Sequence, residues 1–210
     1  MATYESLIKI KGAVGDLVFY NLNGKNVVRK KSGFNKKAFK KNASYEKVRQ
    51  NSSEFGHCSK MGKIIRKSLD FYIKEAGDTL LYQKFAKLMT EIKDLDTISE
   101  RGKRTVVNGL TTEKGKKLLK NFQMGKIENI SAQAEMKDQV LYLNENNGDS
   151  QATIICIKLD SVNYTAESTA EKISPLQPEV QFKKQFSEED FLLYFVVLEK
   201  NNEISNMGFV

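Results

Sequence analysis

Tryptophan is absent from this 210-residue chain, histidine occurs once, and cysteine and proline twice each. Each shortage excludes something. Without Trp there can be no Cys-Trp-Cys core of the antibody type. The lone His57 sits beside Cys58 with no spaced partners, and a tetrahedral zinc site needs three or four ligands. One histidine also leaves little material for a proton-shuttling active site. Cys58 and Cys156 lie far apart, in helical and strand-like contexts, and read as reduced core residues rather than a disulfide. No run approaches the ~20 apolar residues of a membrane span. The N-terminal MATYESLIKIKGAVGDLVFY lacks a charged n-region followed by an uninterrupted h-region, so the cytoplasm is the default expectation.

Motifs that carry chemistry are missing too. There is no G-x-x-x-x-G-K-S/T loop, no G-x-G-x-x-G after a strand, and no G-x-S-x-G nucleophile elbow. Acidic clusters such as Asp94/Asp96 and Glu188/Glu189/Asp190 fall in polar turns or helix starts, where solvated caps explain them better than acid–base catalysis. The sequence thus points away from an enzyme, and no cofactor, metal or small-molecule substrate is evident in it.

What the chain does have is charge, unevenly placed. Residues 1–126 carry 28 Lys and Arg against 12 Asp and Glu, a net +16, whereas residues 127–210 carry 6 against 14, a net −8. Such asymmetry implies docking within one molecule, head-to-tail association between molecules, or a basic nucleic-acid face with an acidic partner domain. Forty per cent apolar content marks a globular chain.

The stretch Ile10–Phe34, IKGAVGDLVFYNLNGKNVVRKKSGF, organises the N-terminal part. Two β-rich runs, Asp16–Tyr20 and Asn26–Lys31, flank an Asn23-Gly24 pair, the strongest short hairpin signal because a type I′ turn needs φ > 0 at both central residues. A two-residue turn sets Leu22 opposite Lys25, Tyr20 opposite Val27 and Val18 opposite Arg29. It also puts Val18, Tyr20, Leu22 and Val27 on one face, with Leu17, Phe19 and Val28 on the other. A two-stranded ribbon is marginal alone in water, so this one needs cover from its own chain or from another molecule. Val18, Tyr20, Leu22, Asn23, Gly24, Val27 and Val28 are therefore the candidate assembly residues. The strand ends in a cation cluster, Arg29, Lys30 and Lys31, and the following linker adds Lys36, Lys37, Lys40 and Lys41 around Phe34 and Phe39. Cations interleaved with aromatics suit phosphates and bases; a solvated loop anchored by its two Phe is the plainer alternative.

Further along, Ser44 can cap a helix whose small and apolar residues recur as Tyr45, Val48, Ser52, Phe55, Cys58, Gly62, Ile65, Leu69 and Tyr72. Gly56, Ser59 and Gly62 within it predict close approach by another backbone, a kink, or a break into two helices. Gly77-Asp78-Thr79 separates it from a second helix with the stripe Leu81, Phe85, Leu88, Ile92 and Leu95. SERGKRTVVNG reads as loop, and Thr112 opens a short basic helix, TEKGKKLLKNF. From Gly125 the style changes to strand-like runs: Lys126–Ile130, Gln139–Asn144, Ala152–Asp160, Ala166–Ile173, Val180–Lys184, Phe191–Glu199 and Ile204–Phe209. Seven short strands joined by links such as ENNGDS and EKNNE predict a sandwich of immunoglobulin type. The expected fold is α+β: an N-terminal β-hairpin plus helical domain over 1–126, then an immunoglobulin-like β-sandwich over 127–210.

Both ends of the chain resemble a bacterial family of uncharacterised proteins. That family begins with a glycine-punctuated motif similar to Ile10–Lys31, through Gly12, Gly15, Val18, Gly24, Val28 and Arg29. It ends with one similar to Leu193–Val210, through Tyr194, Phe195, Asn201-Asn202, Ser205 and Asn206. The resemblance implies an architecture and no activity. The expected function is a non-catalytic structural or assembly protein, a head-to-tail homo-oligomer or partner-docking component of a filament, particle or phage-like shell. The alternative is a nucleic-acid-binding protein using Arg29, Lys30, Lys31, Lys36, Lys37, Lys40 and Lys41. A third reading is an accessory partner recognised through the open edge of the sandwich.

Overall fold

Asn23 and Gly24 take φ of 49° and 81°, the left-handed backbone that this residue pair accepts at low cost. Around them, a computed structural model describes residues 2–6, 10–31, 36–137, 140–144, 151–174, 177–183, 185–187 and 189–210. Phe34, the ENNGDS link, Lys184 and Glu188 lie outside the described residues. Among the described residues, helices mix with strands in three sheets, and the chain divides into two compact units, Met1–Glu46 and Lys47–Val210.

The first unit contains β1 (Ala2–Thr3), β2 (Gly12–Val14), β3 (Leu17–Leu22), β4 (Lys25–Lys30) and helix α1 (Lys36–Lys41). Its sheet runs in the order β1-β4-β3-β2. The pairs Leu22–Lys25, Tyr20–Val27 and Val18–Arg29 face each other across β3 and β4. Gly24 donates its backbone N–H to Asn21 Oδ1 at 3.0 Å, closing the turn, and Tyr4 packs edge-on against Phe19.

The second unit begins with α2 (Glu46–Ser68), α3 (Asp70–Glu75), α4 (Leu81–Lys93), α5 (Val106–Leu110) and α6 (Glu113–Lys120). The stripe on α4 is buried at Leu81, Phe85, Leu88 and Ile92, each full burial favouring the folded state by about 1.5–3 kcal/mol. On α2 the expected stripe holds only from Cys58 onward. The helix buries Glu54, Cys58, Met61, Gly62 and Ile65, while Val48 and Phe55 are exposed. The first half of the helix therefore presents a face one residue round from the one expected, because Glu54 turns inward to charged partners described below. Nor does the glycine cluster break α2, which runs on to Ser68. The segment read as loop contains α5, with Thr105 Oγ1 accepting from the Asn108 N–H as its N-cap.

The strands are β5 (Glu128–Asn129), β6 (Ala134–Lys137), β7 (Val140–Leu143), β8 (Gln151–Asp160), β9 (Thr165–Ile173), β10 (Glu179–Gln181), β11 (Leu192–Lys200) and β12 (Glu203–Phe209). They form a five-stranded sheet, β5-β12-β11-β8-β9, and a three-stranded sheet, β10-β7-β6. Strand β6 was not expected, and β5 joins β12 in parallel, a pairing no hairpin rule supplies. Asn201 and Asn202, both at positive φ, turn β11 into β12.

The larger sheet is apolar on both faces, and its period of two sorts the residues. Ile155, Ile157, Leu159, Phe195, Val197, Met207 and Phe209 pack with the buried residues of α2, α4, α5 and α6 in one core. Ile154, Val196 and Leu198 pack with Leu141 and Val180 of the small sheet in another. The change of charge sign near residue 126 thus falls inside the second unit, where basic helices and acidic strands share a core. That unit carries 24 basic and 23 acidic residues, so the uncompensated charge belongs to the first unit, with 10 against 3.

Candidate functional site

The expected contact residues are gathered in the first unit. Val27 is buried, Val18, Tyr20 and Val28 are half-buried, and Leu22, Asn23 and Gly24 are exposed. Arg29, Lys30, Lys31, Lys36, Lys37, Lys40 and Lys41 are all exposed. Phe39, between the lysines of α1, meets Tyr45 edge-on at 5.9 Å between ring centres. Val27 is the one buried side chain among the described residues of this unit, and Val14, Leu17 and Leu22 remain 63, 43 and 49% exposed. A 46-residue unit with so little interior lies close to the size, about 40 residues, below which a hydrophobic core seldom holds a fold without help. Its apolar and cationic groups are arranged as a surface rather than a pocket.

No family model, curated protein or solved structure matches the chain. The assignment of a site therefore rests on geometry.

A second constellation lies inside the other unit, and the sequence reading missed it. Glu54, 3% exposed, accepts hydrogen bonds at Oε1 from the Gly102 N–H (2.7 Å) and Arg104 Nε (2.8 Å). At Oε2 it accepts from Arg104 Nη2 (2.7 Å) and Lys93 Nζ (2.8 Å). Lys93 also meets Asp94 at 2.6 Å, and Arg104 Nη1 reaches the same Asp94 oxygen at 3.0 Å. The Arg104 guanidinium holds the Glu54 carboxyl down to about 2, against a burial that alone would raise it. Asp96 follows the same logic. Burial would raise its pKa, but the N–H groups of Ile98, Ser99 and Thr105, each at 2.9 Å, hold it well below the usual range. Both carboxylates are saturated with donors, which holds them ionised near neutral pH. The arrangement fastens the segment between α4 and α5 onto α2.

His57 belongs to the same structural role. Its Nε2 accepts the Val106 N–H at 3.0 Å, one of the backbone donors left over at the start of α5. The neutral ring then carries its proton on Nδ1, which donates to Tyr164 Oη at 3.1 Å. Burial, helped by Lys60, lowers the His57 pKa. Protonation would set an Nε2–H against the Val106 N–H. A depressed histidine pKa means that its contribution to stability is complete above about pH 6.5, the unfolded value, and falls away as pH drops through the folded one. Urea unfolding of the wild type should therefore show a loss of stability between pH 7 and pH 5 that His57→Gln largely lacks; equal slopes would remove His57 as the cause.

Both cysteines are buried and free, and burial pushes the Cys58 thiol up to about 11, far from a reactive thiolate. Among the described residues, no three His, Cys, Asp or Glu side chains are grouped to hold a metal. No helix of the described residues is long and apolar enough to cross a membrane.

Proposed function

We propose that the protein is a non-catalytic structural component that self-associates or docks on a partner through its basic N-terminal unit. The observation that carries this reading is the first unit itself: a four-stranded sheet with, among the described residues, one buried side chain and four exposed large aliphatic residues (Ile10, Val14, Leu17 and Leu22), and a net charge of +7. Such a unit is stabilised most by another molecule that covers its apolar residues and offers negative charge. The acidic residues of the strand region 127–210, net −8 against the basic helices of the same unit, offer local negative charge on a second copy, in keeping with a head-to-tail assembly of the kind that builds rings or filaments. We read residues 127–210 as a sandwich of immunoglobulin type extended by helices. The apolar layer of Leu141, Val180, Ile154 and Val196 between two sheets supports this. A filament, particle or phage-like shell, and kinship with the bacterial family named above, belong to the same proposal.

Light scattering after size exclusion tests it. Oligomers are expected at low salt, dissociating as the Debye length shrinks from about 10 Å at 0.1 M to about 3 Å at 1 M, and disappearing in a Val14→Ser/Leu17→Ser/Leu22→Ser variant. A monomer under all conditions sinks the assembly reading. The exposed cations of β4 and α1 favour one second reading, phosphate contact with a nucleic acid. Its mark is gel retardation of a duplex or single strand at low salt by a protein that stays monomeric.

A further inference from the structure

The short basic helix α6 has no part in the assembly reading, yet it forms one wall of a groove of about 880 Å³ in the second unit. Leu110, Leu119, Leu193 and Phe209, all core residues, present carbon at its base. Phe191 and Leu192 continue the apolar lining along the opposite wall. The lysines all come from one element. Lys116, Lys117 and Lys120 stand along α6, with Glu113 and Glu135 also at the rim. Glu113 is paired with Lys116 at 3.0 Å and Glu135 with Lys137 at 3.1 Å. Lys117 and Lys120 have no carboxylate partner among the described residues. The groove therefore combines a carbon floor with two uncompensated cations on one lip, and its volume falls within the range of small-molecule sites, about 300–1,000 Å³.

We propose that this groove binds a single-chain amphiphilic anion, a medium- or long-chain acyl carboxylate, with its tail along Leu193, Phe191 and Phe209 and its head between Lys117 and Lys120. The charge of the lip decides the class. A neutral or cationic amphiphile would leave the two ammonium groups unpaired or opposed, whereas a carboxylate completes them at short range with charge-assisted hydrogen bonds. The tail supplies the affinity, through the area it removes from water.

Calorimetric titration of the full chain with sodium dodecanoate, kept below micelle formation, is the test. Saturable one-to-one binding is expected, weakened about tenfold on shortening the chain to decanoate. It should be weakened about tenfold again in Lys117→Ala/Lys120→Ala and abolished by Thr111→Trp, which crowds the mouth from an exposed position. Dodecyltrimethylammonium, with the same tail and the opposite charge, should not bind. Heat only above the micelle concentration, equal binding of the cationic amphiphile, or indifference to the lysine substitutions each overturns the proposal. The replaced lysines are surface residues, so circular dichroism should show both variants folded.

Discussion

Replacing Glu54 by leucine should cost about 3–5 kcal/mol. The size follows from what is left behind rather than from what is removed. Lys93 is buried, and its ammonium would lose one of its two carboxylates. Arg104 would lose a two-point contact, and the Gly102 N–H its acceptor. Breaking a buried charge pair by removing one partner is expensive because the other stays out of water uncompensated. For a domain of this size the loss lowers the melting temperature by about 10 °C. Glu54→Leu combined with Lys93→Met should recover much of the deficit, since exchanging a whole buried pair for apolar groups is often near neutral. The same network gives an acid dependence of the same sign as that of His57, set at lower pH. With its carboxyl lowered from 4.5 to about 2, Glu54 contributes fully above about pH 4.5 and loses about 3 kcal/mol as pH falls toward 2. Urea titrations of wild type and Glu54→Leu at pH 7 and pH 3 would show it as a gap that narrows in acid. A constant gap would mean that the charge of Glu54 is irrelevant to its role.

That network also marks the limit of what the sequence discloses. Where one local rule dominates, residues and structure agree closely. Leu81, Phe85, Leu88 and Ile92 repeat at helical spacing over three turns, and no competing pattern exists for α4. LLYFVVL is apolar at every position, which suits β11 between two neighbours with both faces covered. Asn201-Asn202 needs nothing beyond its own backbone tolerance to turn. The misses share a different cause. Glu54 looks like a solvated helix charge until Lys93 and Arg104, 39 and 50 residues away, arrive beside it. With Glu54 turned in, Val48 and Phe55 must turn out, and the period of apolar residues alone gives the wrong face. Helix α5 was hidden because VVNGL is short and β-branched, and its start is satisfied by His57 from α2. Strand β6 was hidden because AEMK is unremarkable until β7 pairs with it. The basic surface of the first unit could be read from composition. Its lack of an interior could not, since that depends on how its own four short strands pack.

The glycines give the sharpest remaining contrast. The pair on α2 suggested a close backbone approach, but a Cβ built at Gly56 meets nothing within 4 Å, and at Gly62 it meets the side chains of Arg66, Met89 and Phe85. The approach is elsewhere. A Cβ at Gly109 of α5 would run into the Ile92 carbonyl at the end of α4, and one at Gly115 of α6 would run into the carbonyl of Gly109 itself. Three short helices are thus stacked backbone to backbone through two hydrogen atoms, and backbone cannot rotate aside as a long side chain does. Gly109→Ala and Gly115→Ala should each destabilise by about 3 kcal/mol or more, the upper range of overpacking, despite alanine's better helix propensity. Gly56→Ala, open and mid-helix, should stabilise by about 0.5–1 kcal/mol. Chemical denaturation of the three variants separates the effects by sign. If all three alanines stabilise, the contact between α4, α5 and α6 is looser than the backbone stacking requires, and the wall of the groove at α6 is loose with it.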